Sequence, residues 1–149
     1  MNINIISISN KLDKNIESLI SHYTKQLDTK IRFINIKSQN LRESKKTRIA
    51  HEANLISEKV KPGSYAVCLD KSGNLLSSEE FADMLFSKPN NDMSFIIGGA
   101  YGLASQILDK SNSAVSFGHM TLPHQIAKLL LVEQIYRAQQ IKKNHPYHK

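Results

Sequence analysis

Tryptophan is absent from this chain, cysteine occurs once, and only six glycines and four prolines are spread over 149 residues. The single thiol, Cys68, excludes an internal disulfide and any metal site built from several cysteines. It stands inside the apolar run Tyr65-Ala-Val-Cys-Leu69, where a thiol serves as a small core hydrophobe. No apolar run approaches the roughly 20 residues that span a bilayer. The opening MNINIISISN lacks both the basic start and the long apolar centre of a secretion signal. A cytoplasmic protein with no membrane partner is the expectation. Internal repeats, low-complexity segments and linkers are also missing, so residues 1–149 are expected to form a single domain, long enough to bury a real core.

Acidic residues are the scarcer charge, 13 against 20 Lys and Arg, which leaves a net charge of +7. A polyanionic partner such as nucleic acid fits that balance, and so does a basic protein that is merely soluble. The imbalance is sharpest at the end: no Asp or Glu follows Glu133, and the chain closes on IKKNHPYHK. A second basic group, Lys37, Arg42, Lys45, Lys46 and Arg48, has Glu43 alone against it. All five are candidate phosphate contacts, Lys45 and Lys46 foremost, although a charge run also serves as a solvated face.

Apolar spacing alternates between strand and helix signals. Ile3 to Ile8 reads as a buried strand, followed by Leu12, Ile16, Leu19, Ile20, Tyr23 and Leu27 at helical spacing. Ile31 to Ile36 is a second strand, and Ile49, Ala53, Ile56 and Val60 form one face of a helix that Pro62-Gly63 stops. Tyr65 to Leu69 is a third strand, closed by the turn Asp70-Lys-Ser-Gly73. Ser77-x-x-Glu80 is a capping box, opening a short helix with Phe81, Met84 and Leu85 inward. Met93 to Ile97 and Ala114 to Phe117 complete five strands before a final helix. The alternation predicts an α/β fold with a mainly parallel sheet flanked by helices. The last helix has apolar residues on more than one face, among them Ile126, Leu130, Leu131, Val132, Ile135 and Tyr136. Deep burial or a helix-to-helix interface between two copies would explain that excess.

Open α/β sheets bind ligands beyond the carboxyl ends of their strands, which selects three loops: Leu69 to Gly73, Ile97 to Leu103 and Phe117 to Leu122. The middle loop, GGAYG, lets the backbone approach a ligand closely. A branched side chain at Gly98 is expected to sit where that ligand approaches and to leave the fold largely intact. The loop follows the fourth strand and no acidic ribose partner is placed for it, so a nicotinamide-binding oxidoreductase is a poor fit; no Gly-Lys-Ser/Thr exists either.

The segments FIIGGAYGL, SFGHMTLPHQIAKLLLVEQIYRA and NHPYHK, in this order, closely resemble the ribosomal RNA large subunit methyltransferase H family, a minimal SPOUT methyltransferase, and the resemblance runs along essentially the whole chain. It implies a SPOUT-type α/β fold with a C-terminal trefoil knot, S-adenosylmethionine as methyl donor, and a homodimer that takes up the apolar excess of the last helix, the tail of one subunit reaching the donor loops of the other in a composite site. The implied reaction is methylation at N3 of a pseudouridine in the helix 69 loop of 23S rRNA, on the large subunit or the 70S ribosome. Carried over by position, the donor would lie against Leu69, Gly98, Phe117, Gly118, His119, Met120, Thr121 and Leu122. His119 reads better as a rim or core histidine than as a catalytic group.

Methyl transfer from a sulfonium is an in-line displacement and needs neither a covalent nucleophile nor a metal. Positioning supplies much of the rate, and a base must take the N3 proton or a cation must hold the resulting anion. Tyr147, His148, Arg137 and Glu133 are the catalytic candidates, while His145 and Lys149 are assigned to RNA contact. Glu133 and Arg137 also satisfy the spacing of a plain i,i+4 pair. Tyr147 to Lys149 follow Pro146, and are expected on a segment free to fold over an incoming nucleotide. A ribosome-associated factor of the same fold that binds RNA without catalysis is the alternative.

Overall fold

In the computed structural model the described residues are 1–9, 11–38, 42–87 and 92–149; residues 39–41 of the expected basic stretch Lys37 to Lys46 lie outside them. Five strands and five helices alternate: β1 (Asn2–Ile8), α1 (Lys14–Thr24), β2 (Lys30–Ile36), α2 (Lys45–Lys59), β3 (Tyr65–Leu75), α3 (Ser78–Phe86), β4 (Met93–Ile97), α4 (Ser105–Lys110), β5 (Ser113–Ser116) and α5 (His124–Lys142). The strands form one sheet in the order β2-β1-β4-β3-β5, and every pairing is parallel.

Such strands are covered on both faces and read as continuous apolar runs. Ile3 and Ile5 of β1, with Met93, Phe95 and Ile97 of β4, point into a core shared with α1, α3 and α5. Ile6 and Ile8, with Ile96 and Cys68, point into a second core closed by Ala53 and Ile56 of α2 and Ile107 of α4. Three layers follow, helices on either side of a sheet. The capping box forms as the sequence predicts: Ser77 N donates to Glu80 Oε2 at 2.7 Å and Glu80 N to Ser77 Oγ at 3.1 Å.

Three features differ from the sequence reading. Strand β3 does not end at Leu69; it makes an excursion and returns, so that Leu69 and Asn74 both pair with Val115. Gly73 is required there, since a Cβ on it would stand 2.6 Å from the Ala114 carbonyl carbon. Leu12 and Leu27 flank α1 rather than belonging to it, and Leu19 is half exposed. Helix α4 went unread because six residues with one buried apolar side chain, Ile107, set up no periodicity.

The many-sided apolar character of α5 comes largely from burial within the chain. Leu131, Val132, Ile135 and Ala138 are at most 1% exposed, and Leu130 is left at 38%. Among the described residues no helix is long and apolar enough to cross a membrane.

Asp92 fastens the amino edge of the sheet. Its carboxylate accepts Asn2 N at 2.9 Å and Asn2 Nδ2 at 3.0 Å and pairs with Lys61, while its carbonyl accepts Tyr65 N. Lys61, and after it Asn2, hold the carboxyl well down, at about 2 against an ordinary 3.8. A carboxyl depressed by folding stabilises above its unfolded pKa and loses that contribution as pH falls through its folded one. Asp92→Ala is therefore expected to be less stable than wild type at neutral pH, with a gap that begins to close below pH 3.8 and is gone near pH 2. Chemical denaturation across that range checks it.

Candidate functional site

Beyond the carboxyl ends of β3, β4 and β5 lies a cavity of about 680 Å³, within the usual size of ligand clefts. The β3 excursion contributes Leu69, Asp70 and Lys71; the loop after β4 contributes Ile97 to Gly102; and the stretch from Val115 to Gly118 and Met120 to His124 closes the far side. Ala127 of α5 and Lys45 of α2 complete it. Every residue carried over as a donor contact lines this cavity except His119, which is exposed beside it.

Two glycines make the turns that border the cavity. A Cβ on Gly102 or Gly118 would meet nothing within 4 Å, and both have left-handed backbones, φ +80° and +130°. Ser116 secures the second turn, its Oγ accepting from Gly118 N at 3.1 Å and donating to Gly118 O at 2.9 Å. Gly98 works differently from the expectation. Its missing Cβ would stand 2.8 Å from the Gly102 carbonyl, because Gly102 N folds back to donate to Gly99 O. A side chain at Gly98 strikes the loop's own backbone instead of projecting toward a ligand, so it costs stability before it touches a ligand.

Sequence reasoning missed His124 and Ala127 on α5, and placed Lys45 with the RNA contacts rather than at the cavity. The signal available for the helix pair was Pro123, which starts α5 directly against the loop. His124 Nε2 is buried with no hydrogen-bond partner among the described residues, and burial, then the neighbouring Lys128, pushes its imidazole below the ordinary value toward the neutral form. Lys46 is exposed on α2. Arg48 is not a free phosphate contact, since its Nε donates to Ser38 Oγ at 3.1 Å and to Glu52 Oε1 at 3.3 Å.

The four catalytic candidates meet at the other end of α5. Glu133 Oε1 accepts Arg137 Nε at 3.1 Å and the Tyr147 hydroxyl at 3.1 Å. The Arg137 guanidinium lies 4.8 Å from the Tyr147 ring centre and its Nη1 stands 3.4 Å from His148 Nδ1. His148 Nε2 is 2.8 Å from Glu79 Oε1 of α3, a partner that the sequence did not suggest. The tail is thus docked on α3 and α5, contrary to the free segment expected after Pro146. Asn144, with φ 52°, turns the chain back, and His145 N donates to Gln140 O at 2.9 Å. Lys149 and the His145 side chain lie at the exposed edge, where His145 Nδ1 accepts Tyr147 N at 3.2 Å.

This geometry limits the acid-base chemistry. Burial first, and then hydrogen bonds to Tyr23 and Glu133, raise the Tyr147 phenol far above its ordinary value, so it can donate a hydrogen bond but is no base at neutral pH. Arginine can only donate, so the neutral His148 that fits Arg137 accepts at Nδ1 and carries its proton on Nε2, toward Glu79. Glu79 is held at about 2 by that hydrogen bond first of all.

A ligand cleft at the strand ends of an open parallel sheet fits many chemistries, and comparison with known proteins selects one. A family model described as "Predicted SPOUT methyltransferase" matches residues 1–148, and the chain belongs to that methyltransferase family. Among its relatives are proteins called "Ribosomal RNA large subunit methyltransferase H". The one from Acholeplasma laidlawii (strain PG-8A) is 43% identical over the whole of both chains. That of Dictyoglomus thermophilum is 40% identical over 99% of each. The solved structure of "a probable methylase family protein" from Haemophilus influenzae Rd KW20 shares the fold at 16% identity, with a TM-score of 0.62 over 99% of this chain and 70% of its own.

Gly98→Ala is expected to destabilise the protein by about 1–3 kcal/mol, the usual range for forcing atoms into filled space. Thermal unfolding against the wild type measures it.

Proposed function

We propose that this methyltransferase uses S-adenosylmethionine to methylate N3 of a pseudouridine in the helix 69 loop of 23S rRNA, on the assembled ribosome in the cytoplasm. The carrying observation is the full-length identity of 43% to a ribosomal RNA large subunit methyltransferase H. The cavity suits such a donor: Leu69, Phe117 and Leu122 offer apolar walls, and the glycine turns at 102 and 118 leave main-chain groups accessible beside open space. Leu69, Gly98, Phe117, Gly118, Met120, Thr121 and Leu122 are the residues that would hold it, with His119 outside the set. When bound, the donor supplies an electrophilic methyl group and a neutral thioether leaving group. The knotted chain path of the family belongs to the same proposal.

This chain's residues then have to bring in the nucleotide and manage one proton. His148 is the base of choice among the tail groups, accepting the N3 proton at Nδ1 once that nitrogen leaves Arg137. Arg137, anchored by Glu133, stabilises the anion that deprotonation creates, and Tyr147 donates a hydrogen bond. His145, Lys149, Lys45 and Lys46 hold phosphates. Ten helical steps separate Ala127 at the cavity from Arg137 at the tail, about 15 Å at 1.5 Å per residue. That spacing supports a homodimer in which the tail of one subunit completes the cavity of the other. Exposed Leu130, Leu75 and Met120 offer apolar surface for it.

Mass spectrometry of 23S rRNA from a deletion strain tests the target: loss of the pseudouridine methyl group supports the proposal and its persistence refutes it. Isothermal titration with S-adenosylmethionine separates the enzyme from a binding-only factor. Deleting Tyr147 to Lys149 is expected to lower turnover on ribosomes at least 100-fold while donor affinity changes less than about 3-fold, the pattern of lost acceptor chemistry. Full turnover by the truncated protein would remove the tail from the mechanism.

The dimer makes its own prediction. Sedimentation should show two copies at micromolar concentration, and Leu130→Asp should yield folded monomers with little activity. A fully active monomer refutes the composite site.

A further inference from the structure

Tyr101 stands at the cavity mouth, and its ring has no part in the methyl transfer described above. It sits between the two glycines that close the loop after β4, is 46% exposed, and lines the cavity. Arg48 Cζ lies 5.4 Å from its ring centre and Lys45 Nζ 5.7 Å. Arg48 is fastened from below, to Ser38 and to Glu52, and Glu52 is only 3% exposed. The same carboxylate lies under the loop, 3.1 Å from the point a Cβ on Gly99 would occupy. A buried anion thus orders a guanidinium, and the guanidinium holds a partly exposed ring. The arrangement limits the motion of a side chain that solvent would otherwise leave free, and Lys45 beside it keeps an exposed ammonium.

We propose that Tyr101 is the platform on which the target base stacks as it enters the cavity, with Lys45 on the adjoining phosphate and Arg48 as a positioning residue acting through the ring. RNA bases taken out of their stack are recognised on aromatic side chains, and phosphates by cations. The inference rests on the RNA methylation reading and adds to it the residue that receives the acceptor.

Steady-state kinetics on ribosomes lacking the modification test it, with donor titration alongside. Tyr101→Ala and Tyr101→Leu are expected to raise KM for ribosomes roughly 5- to 100-fold. Tyr101→Phe and Tyr101→Trp, which keep a π-face, should stay within about 3-fold of wild type, and donor affinity should hold in all four. Unchanged KM in the alanine variant, rescue by leucine, or a parallel fall in donor affinity would overturn the platform. Leucine fills the space without a π-face, and a donor effect would make Tyr101 a wall of the donor site. Wild-type protein inactive on these ribosomes would sink the methylation reading itself, and this inference with it.

Discussion

Helix α5 has to be buried along its length while leaving each end chemically accessible, and both halves of the site depend on that constraint. Leu131, Val132, Ile135 and Ala138 seat its middle against the sheet between α1 and α3. Each fully buried Leu or Ile side chain is worth about 1.5–3 kcal/mol relative to exposure, so the seat is firm. His124 and Ala127 then reach the cavity, while Glu133 and Arg137 project at the tail. A disturbance of the apolar middle would move both sites together.

At the tail, one carboxylate does most of the organising. Glu133 accepts from Arg137 and from Tyr147, and Arg137 in turn packs on the Tyr147 ring and approaches His148. Hydrogen bonds to charged groups are the stronger kind, and all four groups here share them. The result is a terminus ordered by polar contacts around one packed ring, Tyr147 against Tyr136 at 4.9 Å between centres. Contacts of that sort exchange partners at modest cost, which suits groups that must turn toward a nucleotide.

The core strands were legible because strands buried on both faces carry no alternation to misread: Ile3 to Ile8 and Met93 to Ile97 could scarcely be anything else. The capping box at Ser77 was legible for the opposite reason, being wholly local. The three strand-end loops followed from topology, and the methyltransferase family came from the resemblance, confirmed by the family match. What stayed hidden is long-range and without period. Nothing near His148 in sequence announces Glu79, which is 69 positions away. The role of Gly98 was misjudged because the loop folds back on itself through Gly102, a closure that no spacing rule contains. Strand β3 was cut short at Asp70 because an excursion and a terminating turn use the same residues.

The register of α5 has a polar determinant beside its apolar seat. Lys128 is 4% exposed, yet its ammonium donates to Asn35 Oδ1 at 2.7 Å, an oxygen that also accepts from Ser7 at 3.1 Å. Burial lowers the lysine pKa, and Glu17 of α1 opposes that shift. Apolar side chains on a helix tolerate a one-turn slide, because the stripe nearly repeats. A buried ammonium does not, since sliding would leave it without its acceptor at a cost of several kcal/mol. Through Ser7, Asn35 and Lys128, strands β1 and β2 therefore fix where α5 begins. That in turn decides which of its residues face the cavity and which meet the tail.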